Sequence, residues 1–177
     1  MFQEGNLIDK GTLTRQPVAH RPRLLSSFRL AIDRGFPYHG AMAGYSDRSL
    51  AQKLGIKPAT RVVALGAPPA YASLLGSLPE GATLHTRLAA GSNFIHRFAR
   101  QRKDLAADFP RLAQALTDAG TLWISWPKRA SGVDTDLTED VVRELGLREG
   151  LVDIKVCAVD DVWSGLKFVR RVRNRKN

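Results

Sequence analysis

The sequence predicts an α/β domain with a mostly parallel sheet, closed at its C-terminal end by an antiparallel hairpin. Three observations carry this. Short apolar runs such as Arg61–Gly66 and Leu122–Trp126 alternate along the chain with segments of helical spacing. Leu122–Trp126 is apolar on both faces, as a central parallel strand must be. The last two extended segments, Leu151–Val159 and Leu166–Val172, flank the turn Asp160–Gly165 and therefore return on one another.

At 177 residues the chain has room for one domain with a real core. It is 44% hydrophobic and 25% charged, the balance of a water-soluble domain. No apolar run approaches the roughly 18 residues of a membrane span. The start MFQEGNLIDKG lacks the compact apolar stretch of a secretory signal. The single cysteine, Cys157, excludes an internal disulfide and fits a cytoplasmic protein.

A net charge of +10 raises the question of nucleic acid, and its distribution argues against it. Residues 1–41 carry six basic and three acidic side chains, and 167–177 carry six basic and no acidic ones. The body between them holds only +1. A nucleic-acid surface would spread its charge along a face of the fold.

Residues 1–41 differ from the rest of the chain. They contain Pro17, Pro22 and Pro37, scattered arginines, and one short amphipathic stretch within Arg23–Arg34. The only methionines are Met1 and Met42, and patterned sequence begins after the second. Met42 is therefore the expected start, and 1–41 an expected disordered extension. The domain is then 42–172, followed by a basic tail, 173–177.

Ser46 or Asp47 is the expected cap of a short helix through Leu50, Ala51 and Leu54, stopped by Gly55 and Pro58. Arg61–Leu65 reads as a buried strand, and Gly66 as the turn that ends it. Pro68 and Pro69 suit the first turn of a helix bearing Tyr71, Leu74 and Leu75. Ala82–Leu88 is a second strand. Asn93–Ala99 is a third, diluted by His96 and Arg97. The segment Asp104–Ala119 has helical spacing, and Pro110 is expected to split it. Gly120 should end it before Leu122–Trp126. Asp136 with Glu139 resembles a capping box for a helix over Leu137–Leu145. In Leu151–Val159, Val152, Ile154, Val156 and Ala158 are expected on one face, and Asp153, Lys155 and Cys157 on the other. This order looks like a reduced methyltransferase-type Rossmann sheet.

Ligands of such sheets bind beyond the carboxyl ends of the strands. Three loops fall there: Gly66–Tyr71, Pro127–Thr138 and Asp160–Gly165. The candidate ligand-facing residues are Gly66, Pro68, Tyr71, Lys128, Ser131, Asp134, Asp160 and Trp163, expected to border a shared cleft. Trp163 is singled out because it occupies the hairpin turn.

No cofactor or metal signature is complete. Pro68 and Pro69 stand where a glycine loop would aim backbone N–H groups at a cofactor, and neither has an N–H. No acid closes the second strand, where Thr86-Arg87-Leu88-Ala89-Ala90 stands. Lys128, Arg129, Ser131 and Gly132 would hold an anion, but Asp134, Asp136, Glu139 and Asp140 already complement the same helix end. Asp134, Asp136, Asp160 and Asp161 lack metal-ligand spacing, and His20, His39, His85 and His96 are scattered. Cys157 reads as core; Lys155 beside it would lower its pKa if both faced a cleft. Ser125 and Ser164 have no nucleophile-elbow context. These residues point to a cytoplasmic protein that binds a small ligand or a protein partner without covalent catalysis and without a cofactor. The alternatives are an enzyme using Lys128 with Asp134 or Asp160, and nucleic-acid binding through the basic tail.

The stretch WPKRASGVDTDLTEDVVRELGLREGLVDIKVCAVDDVWSGLKFVRR resembles a bacterial family of uncharacterised proteins, domain-of-unknown-function family 3052. The stretch AGYSDRSLAQKLGIKPATRVVALGAPPAY resembles that family's beginning, so the likeness covers about residues 43–171. It implies a Rossmann-like fold and a start near Met42. It implies no catalytic residues.

Overall fold

The computed structural model describes residues 48–171. The expectations for the extension 1–41, for Met42, for a cap at Ser46 or Asp47 and for the tail 173–177 fall outside the described residues.

Strands β1 (Arg61–Leu65), β2 (Thr83–His85), β3 (Ser92–Phe98), β4 (Leu116–Pro127), β5 (Leu151–Ala158) and β6 (Trp163–Arg170) form one sheet. Their order is β2-β1-β3-β4-β6-β5. Neighbours from β2 to β4 are parallel, and β6 runs antiparallel to both β4 and β5. Five strands thus point one way. The expected mostly parallel sheet with a C-terminal antiparallel pair is what forms, with β4 inside it and buried from Leu122 to Pro127.

Alternation along the strands feeds two cores. Val63, Ile95, Leu122, Ile124, Leu166 and Phe168 face helices α3 (Arg102–Ala115) and α4 (Glu139–Arg148). Val62, Ala64, Phe94, Phe98 and Trp123 face α1 (Leu50–Leu54) and α2 (Tyr71–Leu75). From β1 the chain passes over one face to β2, and from β3 over the other face to β4. The direction reverses between β1 and β3, the switch point at whose carboxyl ends sheets of this type hold ligands.

Several local expectations need correction. Ser49 caps α1: its hydroxyl accepts from Gln52 N–H while Gln52 returns a bond to Ser49 N–H, a reciprocal cap. The strand expected at Ala82–Leu88 shortens to Thr83–His85, which pairs with Arg61–Val63 and is an edge among the described residues. Pro110 does not split α3. It removes one hydrogen bond at a cost of about 3 kcal/mol, but buried Leu105, Phe109 and Leu112 anchor the helix on both sides of it. Gly120 does not separate helix from strand. Strand pairing starts at Leu116, opposite Ser92, and resumes at Thr121 opposite Phe94 after a bulge.

Thr138, not Asp136, caps α4 by accepting from Val141 N–H. Asp136 instead accepts from Arg102 N–H at 2.6 Å and closes the start of α3. The expected alternation in β5 breaks at Ile154, a bulge between the pairs Asp153–Phe168 and Lys155–Lys167. Beyond it the apolar residues face outward: Ile154 is 57% exposed and Val156 50%.

Candidate functional site

Because β1, β3, β4 and β5 are parallel, the loops after β1, β4 and β5 lie on one rim. Gly66 leaves β1 with φ +64°, a left-handed turn that glycine adopts without strain. A Cβ at Gly66 would stand 2.9 Å from Phe98 O and closer still to Arg97 Nη1. The Arg97 guanidinium therefore fills the space in front of the glycine. It is fixed there by Nε donating to Asp108 at 2.7 Å and by Nη1 donating to Phe98 O.

Under this rim runs a buried polar chain. Tyr71 Oη lies 2.7 Å from His96 Nδ1, and His96 Nε2 lies 2.7 Å from Ser125 Oγ. His96 and Ser125 are fully buried, and Tyr71 nearly so. His96 stacks on Phe98 with ring centroids 4.2 Å apart. Burial pushes the imidazole down to about 3, so it is neutral, and burial likewise raises the Tyr71 phenol. A neutral imidazole donates at one nitrogen and accepts at the other, which satisfies both bonds at once. These three residues escaped the sequence reading as a group. The available signal was a polar residue at an inward-facing position on each of two apolar strands.

The expected ligand-facing residues divide. Gly66, Pro68 and Tyr71 line a cavity of about 310 Å³ together with Ala64, Leu84 and Thr86. Lys128 lines a second cavity of about 270 Å³ with Trp126, Arg129, Leu137 and Thr138. The two share no residue. Tyr71 of the first cavity packs edge-on against Phe98, and Phe98 against Trp163, at 5.0 and 5.1 Å. Trp163 is thus buried in this row with Arg100 over its ring, rather than open at the hairpin turn as expected.

Among the described residues no carboxylate pairs with Lys128. Its Nζ donates to Asp160 O at 2.5 Å, and its N–H to Val162 O at 2.7 Å. The Asp160 carboxylate accepts from Val162 and Trp163 N–H at 2.8 and 2.6 Å. Both side chains close the β5–β6 turn onto the end of β4. Ser131 closes the 3-10 turn Arg129–Ser131 by donating to Lys128 O at 2.7 Å, and Asp134 is exposed. Cys157 is half-buried, and burial raises its pKa against the opposing effect of Lys155, Lys53 and Lys128. Any lowering by Lys155 is thus outweighed by burial. Among the described residues no three His, Cys, Asp or Glu gather as a metal site. No helix of the described residues is long and apolar enough to cross a membrane.

No protein-family model matches the chain, and no curated protein matches it. Solved structures do match its fold. An adenosylmethionine-dependent methyltransferase from Aquifex aeolicus aligns over 67% of this chain and 86% of its own, at 13% identity and TM-score 0.50. Magnesium protoporphyrin IX methyltransferase from Synechocystis PCC 6803 with bound SAM aligns over 69% and 74%, at 12% identity and TM-score 0.48. LepI in complex with SAH and a substrate analogue aligns over 69% of this chain, at 14% identity and TM-score 0.42, and the chain spans only 39% of its length. The sheet order and the Aquifex likeness together make this a methyltransferase-type Rossmann fold.

Proposed function

We propose that this chain binds a small, uncharged, largely apolar ligand in the cavity beyond β1 and β2, without covalent chemistry. The observation that carries the reading is the lining itself. Ala64, Gly66, Ala67, Pro68, Pro69, Tyr71, Ala72, Leu84 and Thr86 supply no charged side chain. Such a wall favours an apolar body over an ion, because a charge left without a partner at a protein surface loses hydration.

The residues do not fit adenosylmethionine in the pose usual for this fold. Pro68 and Pro69 offer no N–H, Thr86 stands where a ribose-binding acid would, and Arg97 occupies the space before Gly66. The alternative of an enzyme built on Lys128 with Asp134 or Asp160 finds no support in the geometry, since Lys128 and Asp160 are committed to the hairpin turn. We place the chain, on the likeness of residues 43–71 and 126–171, in domain-of-unknown-function family 3052, and its action in the cytoplasm.

Calorimetry with a panel of neutral nucleosides and aromatic metabolites tests the reading, adenosylmethionine serving as the charged comparison. Ala72→Trp, which fills the cavity from an exposed position, should abolish binding of the neutral ligand and preserve the fold. Tight binding of adenosylmethionine, or neutral-ligand binding that survives A72W, overturns the proposal.

A further inference from the structure

At the opposite rim of the sheet a second kind of cavity forms. The turn after α1, the start of β3 and the bulge of β4 enclose about 240 Å³. Its lining is mixed: Lys57, Thr60, Asn93, Thr117 and Thr121 are polar, and Phe94, Ala119 and Gly55 complete the wall. Lys167 stands beside it, its Nζ 3.7 Å from the position of a Cβ on Gly55. Lys155 is the register partner of Lys167 on β5.

Lys57, Lys155 and Lys167 lie close enough to act on one another electrostatically. Lys155 donates to the Lys53 carbonyl at 2.7 Å, which caps the end of α1 and leaves its charge unneutralised. Among the described residues no ion pair joins Lys57, Lys155 or Lys167 to a carboxylate. Asp118, between two lining residues, is turned to Arg170, 3.5 Å from its Nε. Partial burial is the main cause that depresses the Lys167 pKa, and the nearby Lys155 and Lys57 ammonium groups add to it.

We propose that this cavity is an anion site for the phosphate group of a small phosphorylated molecule. Two ammonium groups at the mouth match a dianion. Three hydroxyls and an amide match the several acceptor oxygens that phosphate presents and an isolated carboxylate does not. The size admits one such group with a short attached body. The site is independent of the neutral-ligand cavity, which lies at the other end of β1.

Pyrophosphate is the probe, titrated calorimetrically into the full chain at ionic strength held constant with sodium chloride. Saturable binding is expected, weakened about tenfold by Lys57→Met and by Lys167→Met, since each removes a charge-assisted bond. Thr121→Val, which leaves every charge in place, should weaken it severalfold, and Arg129→Met at the opposite rim should not change it. Lys57 is exposed, so K57M keeps the fold; circular dichroism verifies this for all four variants. Absence of saturation, or equal affinity in all variants, overturns the site. A single-stranded oligonucleotide that displaces pyrophosphate with higher affinity and a steep salt dependence would assign the cavity to a nucleic-acid backbone and overturn the small-molecule reading.

Discussion

Gly146 of α4 lies against the ring of Phe168 on β6, so close that a Cβ there would stand 2.7 Å from Cζ and 2.8 Å from Cδ1. Alanine ordinarily stabilises a helix interior over glycine by about 1 kcal/mol. Here Phe168 is fully buried and packed edge-on against Phe109 at 5.8 Å, so the ring has nowhere to go. Overpacking costs about 1–3 kcal/mol and outweighs the helical gain. Gly146→Ala is therefore expected to lower the urea midpoint, and a higher midpoint would show that the ring can yield.

His96 makes the fold acid-sensitive. Its pKa is about 3 when folded, against 6.5 for the free side chain. Above pH 6.5 both states are neutral and the group contributes no pH dependence. As pH falls below 6.5 the unfolded chain gains a proton that the folded one refuses. Stability should then drop by up to about 1.4 kcal/mol per pH unit until pH nears 3. Denaturation at a series of pH values, with His96→Gln alongside, checks this. The variant should be less stable at neutral pH and have a shallower slope; an unchanged slope would assign the acid response elsewhere.

Asp136 ties the loop after β4 to the start of α3 across 34 positions of sequence. Asp136→Ala leaves Arg102 N–H without its acceptor, and loss of such a cap costs about 1 kcal/mol. Asp136→Asn, which keeps a side-chain oxygen, should recover most of it. Hydrogen exchange over Arg102–Leu105 locates the effect: faster exchange confined to that turn is expected in the alanine variant.

The Asp160 carboxylate and the Lys128 ammonium both act on the β5–β6 turn. Asp160→Ala removes two acceptor bonds and should destabilise by about 1–3 kcal/mol, whereas Asp160→Asn should cost less. If Lys128→Met instead left stability intact and abolished a ligand-dependent signal, the structural role given to this lysine would be wrong.

The sheet was legible because its evidence is local. Val62, Val63 and Ala64 form an apolar run ending in Gly66, and the same holds from Leu122 to Trp126. What the sequence hid depends on partners far along the chain. Asp136 reads as a cap for the helix after it, because Arg102 N–H is visible only after folding. His96 looks like a defect in a strand until Tyr71 and Ser125, 25 and 29 residues away, come within bonding distance. Trp163 looks exposed because it lies at a turn, yet Phe98 draws it inward. The rim loops were identifiable; which of their side chains turn outward was not, since that is decided by packing against other strands.

The bulge at Ile154 bears on how this molecule behaves among its own copies. Among the described residues β5 is the outer strand of its side of the sheet. With Ile154 and Val156 exposed along it, an unbroken strand would offer incoming chains a flat apolar template. The extra residue interrupts that template midway, and Lys155 places a charge beside the break. Lys155→Val would remove that charge and leave a third apolar side chain between Ile154 and Val156, and such a chain is expected to scatter light and self-associate at concentrations where the parent stays dispersed.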